Sequence, residues 1–467
     1  MTPILFYTSI PRSFRTTLIG HLYKLASVYP VVLLSEDLDQ FTEEIVKNKK
    51  LFPKLEEIIP IHQHTGEKRS LLAKNKELAT IAREVIEKYR PRIVITANDL
   101  YLFEMYLFRE AGKIGAAKIC LQAGLAADST KTPKWLELIE AELNYPKYLP
   151  LFLRRGVIKL RKIIGHFLYY WLLPLLNLQK PFFGRSSYIL RRDESGMREA
   201  DYQAVFNDKE WSLYRKSGVP EKKLLVLPHP LITDKRFFNH FLTSPLQVTG
   251  ASDRRVALIV LPGDIEVSVR RNFTFVPNER RLENWKKLLH IIDGSLPDWK
   301  IVISTHPATK NYELLKTELE SVSPKIEMLE LNGPVESYLK SAEAIIGFPP
   351  SLSTLLFAAS LQYPRKPIFS LDPYRELMGD YYKDFPGIDY TTSKIDLEEK
   401  LKALHSGKYK KRAHGLIPLE ISRSKRLPPS TESGSLTGLT HEGFKNSIEL
   451  VQHVLDQNPS HSRPIVT

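Results

Sequence analysis

PRIVITANDLYLFEMYLFREAGKIGAAKICLQAG, residues 91–124, reads as a strand (91–99), an amphipathic helix (100–112) and a second strand (117–124). Two strands joined through a helix are predicted to pair in parallel, because parallel neighbours need a crossover of that length. The same alternation runs outward on both sides. Upstream lie PILFYTS (3–9), a helix over 16–27, VVLLS (31–35) and a long helix over 70–89. Downstream, past a segment of different character, come YQAVFND (202–208), a short helix through Tyr214 and LLVLPHP (224–230).

The polar stretch TSPLQVTGASDRR (243–255) reads as a linker. A second series follows: VALIVLPGD (256–264), a helix over 278–292, KIVISTHP (300–307), KIEMLEL (325–331), a helix over 334–341, AEAIIGFPPS (342–351), a helix through Ser360, and PIFSLD (367–372). Short apolar strands alternating with helices predict an α/β protein with parallel sheets. At 467 residues the chain exceeds one ordinary core, so two domains of roughly 200 residues each are expected. They are placed at 1–245 and 253–410, followed by a low-complexity loop over 411–440 and a C-terminal helix and tail over 441–467. No internal repeat of fixed period is visible. Two open α/β sheets in tandem are expected to bring their strand ends to a shared cleft, where such sheets bind ligands.

Composition narrows the function. Cys120 is the only cysteine, which excludes an intrachain disulfide and a cysteine-based metal site. The start MTPILFYTSI has neither a basic region nor a small-residue cleavage site, so it reads as a first strand in a cytoplasmic protein. Net charge is +14 and unevenly spread. From 143 to 192 there is no Asp or Glu, and ten residues are Lys or Arg, among them Arg154, Arg155, Lys159, Arg161 and Lys162. Within this insertion sits IIGHFLYYWLLPLL (163–176), with Phe167, Tyr169, Tyr170 and Trp171. The run falls short of the ~18–20 residues needed to span a bilayer, and Pro174 interrupts it. Basic flanks beside an aromatic apolar face predict a segment lying on an anionic membrane surface. The plainer reading is a buried helix with its cations at the rim. No nucleic-acid motif accompanies the charge, so nucleic acid is not an expected partner.

Ser304, Thr305 and His306 end a strand of the second series. An imidazole there can donate to a phosphate oxygen or stabilise charge developing on a leaving group. Pro307 biases His306 to an extended backbone and so holds the direction of its ring. Downstream, GFPPSLSTLLFAAS places Gly347, Ser351, Ser353 and Thr354 between a strand and a helix start, where backbone N–H groups and hydroxyls suit an anion. Gly263-Asp264 follows the first strand of this series, either letting the backbone approach a ligand or making a turn.

Taken together, these motifs resemble the GT-B glycosyltransferases of bacterial surface-polysaccharide assembly, with echoes of polysialyltransferases, Kdo transferases and CDP-glycerol glycerophosphotransferases. The matching stretches are PRIVITAND…AAKICLQAGL, YRKSGVPEKKLLVLPHP, VISTHP and AEAIIGFPPSLSTLLFAA, over most of residues 1–375. The resemblance implies two Rossmann-like domains facing a central cleft. It implies transfer from a CMP- or UDP-activated sugar to a lipid-linked or polysaccharide acceptor, with no metal cofactor, on the inner face of the cytoplasmic membrane. It makes His306 the contact to the donor phosphate. Gly263, Asp264, Ser304, Thr305, Pro307, Gly347, Ser351, Ser353 and Thr354 would line the donor site. Asp99 is the position best matched to the family's general base. Arg12, Arg15 and Gln122 are the acceptor-side candidates. The acidic pair-plus-glycine motif of polysialyltransferases is not visible, and Pro349-Pro350 stands where an acidic residue or serine is commoner.

Other candidates carry less. Asp99 also suits a helix cap. His229 at the crossover reads as structural. Asp37 and Asp39 read as a helix start rather than a metal pair, and His62 and His64 as exposed loop residues. Two alternatives share the architecture: a UDP-N-acetylglucosamine 2-epimerase-like enzyme, whose acidic and histidine-rich motifs are not found here, and a non-catalytic glycan-assembly subunit.

Overall fold

The computed structural model describes residues 2–8, 18–35, 45–61, 71–99, 102–122, 160, 164, 199–230, 255–261, 278–305, 309, 312–330, 335–348, 354–371, 382, 385, 387–411 and 443–457. The described residues before 235 and after 421 form one compact unit, and those of 235–421 form another.

In the first unit seven strands make one sheet: β1 (Ile4–Thr8), β2 (Val31–Ser35), β3 (Leu55–Pro60), β4 (Ile93–Thr96), β5 (Ala117–Leu121), β6 (Tyr202–Val205) and β7 (Leu224–Val226). Their order is β3-β2-β1-β4-β5-β6-β7, and every pairing is parallel. The helices that carry the crossovers include α1 (Ile19–Val28), α2 (Leu71–Tyr89), α3 (Leu102–Lys113) and α4 (Asp208–Lys216). Central strands β2 and β4 are buried at every position, as expected where both faces of a parallel sheet are covered. Leu5, Tyr7, Val32, Leu34 and Val94 pack with α2 and α3 in one core. There Tyr7 meets Phe103 edge-on at 4.8 Å, and the buried Tyr106 hydroxyl donates to Asn75 at 2.7 Å.

Local backbone chemistry ends these helices where the strands must begin. Arg90 takes φ 42° after α2, and Pro91 follows it. Gly115 takes φ 76° after α3, and Ala116 N–H returns to Ala111 O at 2.9 Å before β5 starts. Only glycine takes such a φ without steric penalty.

The second unit holds β8 (Val256–Val260), β9 (Lys300–Ser304), β10 (Ile326–Met328), β11 (Ala344–Gly347), β12 (Ile368–Leu371) and β13 (Asp389–Thr391). The order is β10-β9-β8-β11-β12-β13, again all parallel. Its helices are α5 (Asn278–Ser295), α6 (Tyr312–Glu320), α7 (Val335–Ser341), α8 (Thr354–Gln362) and α9 (Lys394–His405). Trp285, Leu288, Leu289 and Ile292 of α5 and Leu397 and Leu401 of α9 share a core with Ile301, Ile303 and Ala257. Each fully buried side chain of this size contributes roughly 1.5–3 kcal/mol by leaving water.

The C-terminal helix α10 (Ser447–Gln457) belongs to the first unit. Gly443 bridges Val226 of β7, Phe444 N–H donates to Val226 O at 2.9 Å, and Gln452 accepts from Tyr29 at the end of α1 at 3.2 Å. Among the described residues no helix is long and apolar enough to cross a membrane.

Candidate functional site

Each sheet reverses direction once: the chain builds outward from the first strand, then returns to its other side. In the first unit that switch lies between β1 and β4, and in the second between β8 and β11. Open parallel sheets of this order bind ligands beyond the carboxyl ends of the strands flanking the switch.

In the second unit Ser304, Val260, Gly347 and Ser370 stand at one level across four adjacent strands. Their ends are held level by backbone hydrogen bonds, Leu261 N–H to Ser304 O at 2.9 Å and Phe348 N–H to Val260 O at 3.0 Å. Three of these four residues are Ser or Gly, so little side-chain bulk stands at the strand ends. Gly347 lets a backbone or ligand approach closely. Ser304 and Thr305 are part-exposed, and Thr309 is buried. His306 and Pro307 lie outside the described residues, as do Gly263, Asp264, Ser351 and Ser353. Thr354 opens α8, whose first turn carries no acidic side chain to neutralise the positive end of the helix.

In the first unit the strand ends are occupied by buried polar side chains. Asp99 is fully buried, and its carboxylate accepts from Ala200 N–H at 3.2 Å. The turn before it closes on itself, with Thr96 Oγ1 donating to Asn98 O at 2.6 Å. Gln122 is also buried. Its amide nitrogen donates to Glu210 at 2.8 Å, its oxygen accepts from Phe206 N–H at 2.9 Å, and its own N–H reaches Ala204 O at 3.0 Å. One side chain thus ties the ends of β5 and β6 to α4. Asn207 caps α4 by accepting from Glu210 N–H at 3.0 Å, which sets the direction of the glutamate. Gln122 and Asp99 are turned inward, Gln122 with both ends of its amide engaged by protein groups. Arg12 and Arg15 lie outside the described residues.

His229 is fully buried, its ring lies 4.8 Å from that of Phe206, and burial pushes its pKa down to about 3, with His21 adding to the shift. His21 on α1 is buried too, and burial alone takes it to about 3. Both are therefore neutral near pH 7. Next to them Pro230 is keyed onto α1: a Cβ added at Gly20 would lie 2.4 Å from Pro230 Cβ. No spacing rule in the sequence signals this contact, since Gly20 and Pro230 stand 210 positions apart in the chain.

Of the insertion, only Leu160 and Ile164 are described. Arg154, Arg155, Lys159, Arg161, Lys162, Phe167, Tyr169, Tyr170 and Trp171 lie outside the described residues, as do Asp37, Asp39, His62 and His64. Among the described residues no three His, Cys, Asp or Glu side chains converge as a metal site requires.

No protein-family model matches the chain, and no curated protein does. Solved structures do. A UDP-N-acetylglucosamine 2-epimerase from Rickettsia bellii superposes with a TM-score of 0.55 at 13% identity, covering 100% of this chain and 99% of that one. A UDP-GlcNAc 2-epimerase from Methanocaldococcus jannaschii, in complex with UDP-GlcNAc and UDP, gives 0.50 at 13% identity over 98% and 100%. A glycosyltransferase from Rickettsia africae gives 0.45 at 13% identity over 87% and 92%. The chain has the fold of the two epimerases, two parallel α/β sheets of GT-B type. These structures give no support for the polysialyltransferase or Kdo transferase families in particular.

Proposed function

We propose that the protein is a nucleotide-sugar enzyme that binds a UDP-activated hexosamine and acts on it as a 2-epimerase does. One observation carries the reading: the end-to-end match of both units to 2-epimerases, one of them a complex with UDP-GlcNAc and UDP. The local chemistry fits it. The level row of Ser304, Gly347 and Ser370 leaves room at the strand ends, and α8 begins seven residues after β11 with its first turn free of acid. In this reading His306 contacts a diphosphate oxygen, and Ser351, Ser353 and Thr354 hold the remaining oxygens with the helix N–H groups.

The experiment has two stages. UDP, CDP and CMP are compared by thermal unfolding of the full chain. At 100 times its Kd a ligand stabilises by about 2.7 kcal/mol, a shift of several degrees. UDP should shift the midpoint, and His306→Ala should remove the shift while the unliganded midpoint stays put. If no nucleotide shifts the wild type, the reading falls. The second stage incubates UDP-GlcNAc with the enzyme in deuterated water. Inverting C2 removes and returns its hydrogen, so deuterium must enter at C2.

Glycosyl transfer is the second reading, and the basic apolar stretch 143–192 favours it, because an enzyme of free nucleotide sugars has no need of one. Here His306 assists departure of the nucleotide, and the acceptor is lipid-linked or a growing glycan on a membrane. Transfer leaves the C2 hydrogen in place. Nucleotide binding with no deuterium at C2 and release of UDP only when acceptor is added would select it. Asp99→Asn tests the base assigned by that reading: loss of turnover with unchanged UDP binding and folding would support it.

A further inference from the structure

Ser370, near the end of β12, is 2% exposed, yet its hydroxyl forms no hydrogen bond with any described residue. Other buried hydroxyls of the second unit are engaged. Ser360 donates to Phe357 O at 2.7 Å, Ser323 to Asp293 at 3.1 Å, and Thr391 to Ser393 O at 3.2 Å. Ser295 also lacks a partner, but it closes α5 just before β9 begins, at the edge where strands start, and its oxygen is sealed from solvent. The Ser370 oxygen is not among the sealed ones. A buried hydroxyl without a protein partner calls for some other acceptor, because leaving it unmet opposes folding.

The direction of Ser370 follows from the two-residue period of a strand. Phe369 and Leu371 on either side of it point into the core shared with α5 and α9, so Ser370 points to the opposite face. Gly347 stands level with it on β11, between Ile346 and Phe348 of the same core, and opens on that opposite face too. Neighbouring strands lie only about 4.8 Å apart, so the missing side chain leaves a notch directly beside the Ser370 hydroxyl. On this face α8 packs against β12, and it starts at the strand-end edge with no acidic side chain in its first turn.

We propose that Ser370 contacts the ligand of the nucleotide-sugar site, its hydroxyl donating to a phosphate oxygen that enters the notch over Gly347. The assignment rests on the nucleotide-sugar reading of that site. The surroundings select the acceptor. The level row Ser304, Val260, Gly347 and Ser370 carries no charged side chain, and the adjacent helix presents its positive end, so an anionic oxygen is favoured there.

The test measures binding of UDP, uridine and pyrophosphate to the full chain by calorimetry, for the wild type and Ser370→Ala. The variant should bind UDP about ten-fold more weakly or worse, the loss of one hydrogen bond to a charged acceptor, and should bind uridine as the wild type does. Its unliganded thermal midpoint should hold or rise, because a buried hydroxyl without a protein partner contributes nothing to folding. Ser370→Cys, close in size but a weak donor, should lose UDP affinity as alanine does. Equal UDP binding by wild type and Ser370→Ala would overturn the proposal and leave the nucleotide-sugar reading intact. So would a midpoint lowered by several degrees, since the hydroxyl would then serve the fold, or an equal loss for uridine, which would place the contact on the nucleoside. If the wild type binds no UDP, that reading falls and pyrophosphate decides for Ser370. Pyrophosphate binding that Ser370→Ala weakens keeps it as a phosphate contact; no binding, or binding unaffected by the variant, removes it.

Discussion

The two units share one strand order, to which the first adds β7 at its edge, and they differ in where they keep their polar groups. In the first, buried polar side chains gather beyond the strand ends: Gln122 with Glu210, and His229 beside Phe206 and His21. In the second, the strand ends carry Ser304, Gly347 and Ser370, and the ionic contacts collect at the opposite edge, where strands start. There Arg255 pairs with Glu343 at 2.8 Å and lies over Trp299, and Asp389 accepts from Lys400 at 2.8 Å and from Tyr409 at 3.0 Å. The same topology therefore offers a ligand two unequal edges. The first unit's edge is braced by its own side chains. The second unit's edge has small residues at the level where a phosphate would meet backbone N–H groups.

The contrast is open to attack, most strongly through pH. Histidines held near 3 in the folded protein and near 6.5 when unfolded oppose their own protonation, so the folded state binds fewer protons. Stability is fully present above 6.5 and falls as pH drops from 6.5 towards 3, by about 1.4 kcal/mol per pH unit for each histidine. Urea melts between pH 7 and 5 should show this slope, and His229→Gln should reduce it by about one proton. An unchanged slope in the variant would remove His229 from the buried core.

Next in size is the key between α1 and the exit of β7. Gly20→Ala forces a Cβ into Pro230 and should destabilise by about 1–3 kcal/mol in a denaturant melt. Third is the bridge at the strand ends. Gln122→Ala leaves the buried Glu210 carboxylate without its amide partner and should lose about 1–3 kcal/mol without altering any nucleotide-induced shift. A variant that stays fully stable yet loses nucleotide binding would turn Gln122 from a brace into a ligand contact. The smallest effect has the opposite sign. Gly294 lies within α5 of the second unit with nothing within 4 Å of an added Cβ, so Gly294→Ala should gain roughly 0.5–1 kcal/mol. Gly20 and Gly294 thus make a matched pair, one substitution blocked by a neighbour and the other free.

Much of this architecture was legible residue by residue. Strands such as VVLLS and VALIV are continuous apolar runs, and burial on both faces of a parallel sheet is what such runs signal. The elements that escaped were those with weaker signals. β3, LEEIIP, is an edge strand with Glu56 and Glu57 exposed, so its apolar pattern is diluted by charge. β13 is only three residues long, and α6 and α9 bury a narrow stripe each. At the candidate site the strand-end positions of Ser304 and Gly347 were readable because a strand boundary is a local event. The inward turn of Gln122 was not, because its partners Glu210 and Phe206 lie more than 80 residues further along the chain.

The sequence by itself determined two parallel α/β sheets, the places where their strands end, and a basic apolar stretch too short to cross a bilayer. Hydrophobic periodicity, turn residues and charge spacing are properties of neighbours in the chain, and these conclusions need nothing more. Only the tertiary structure decided which polar residues are braces. It buried His21 with His229, pressed Pro230 onto Gly20, tied Gln122 to Glu210 and returned the last helix to the first unit. Each of these joins residues far apart in sequence. Such pairings form only where packing excludes water, and no local pattern encodes which distant group will be there to meet them.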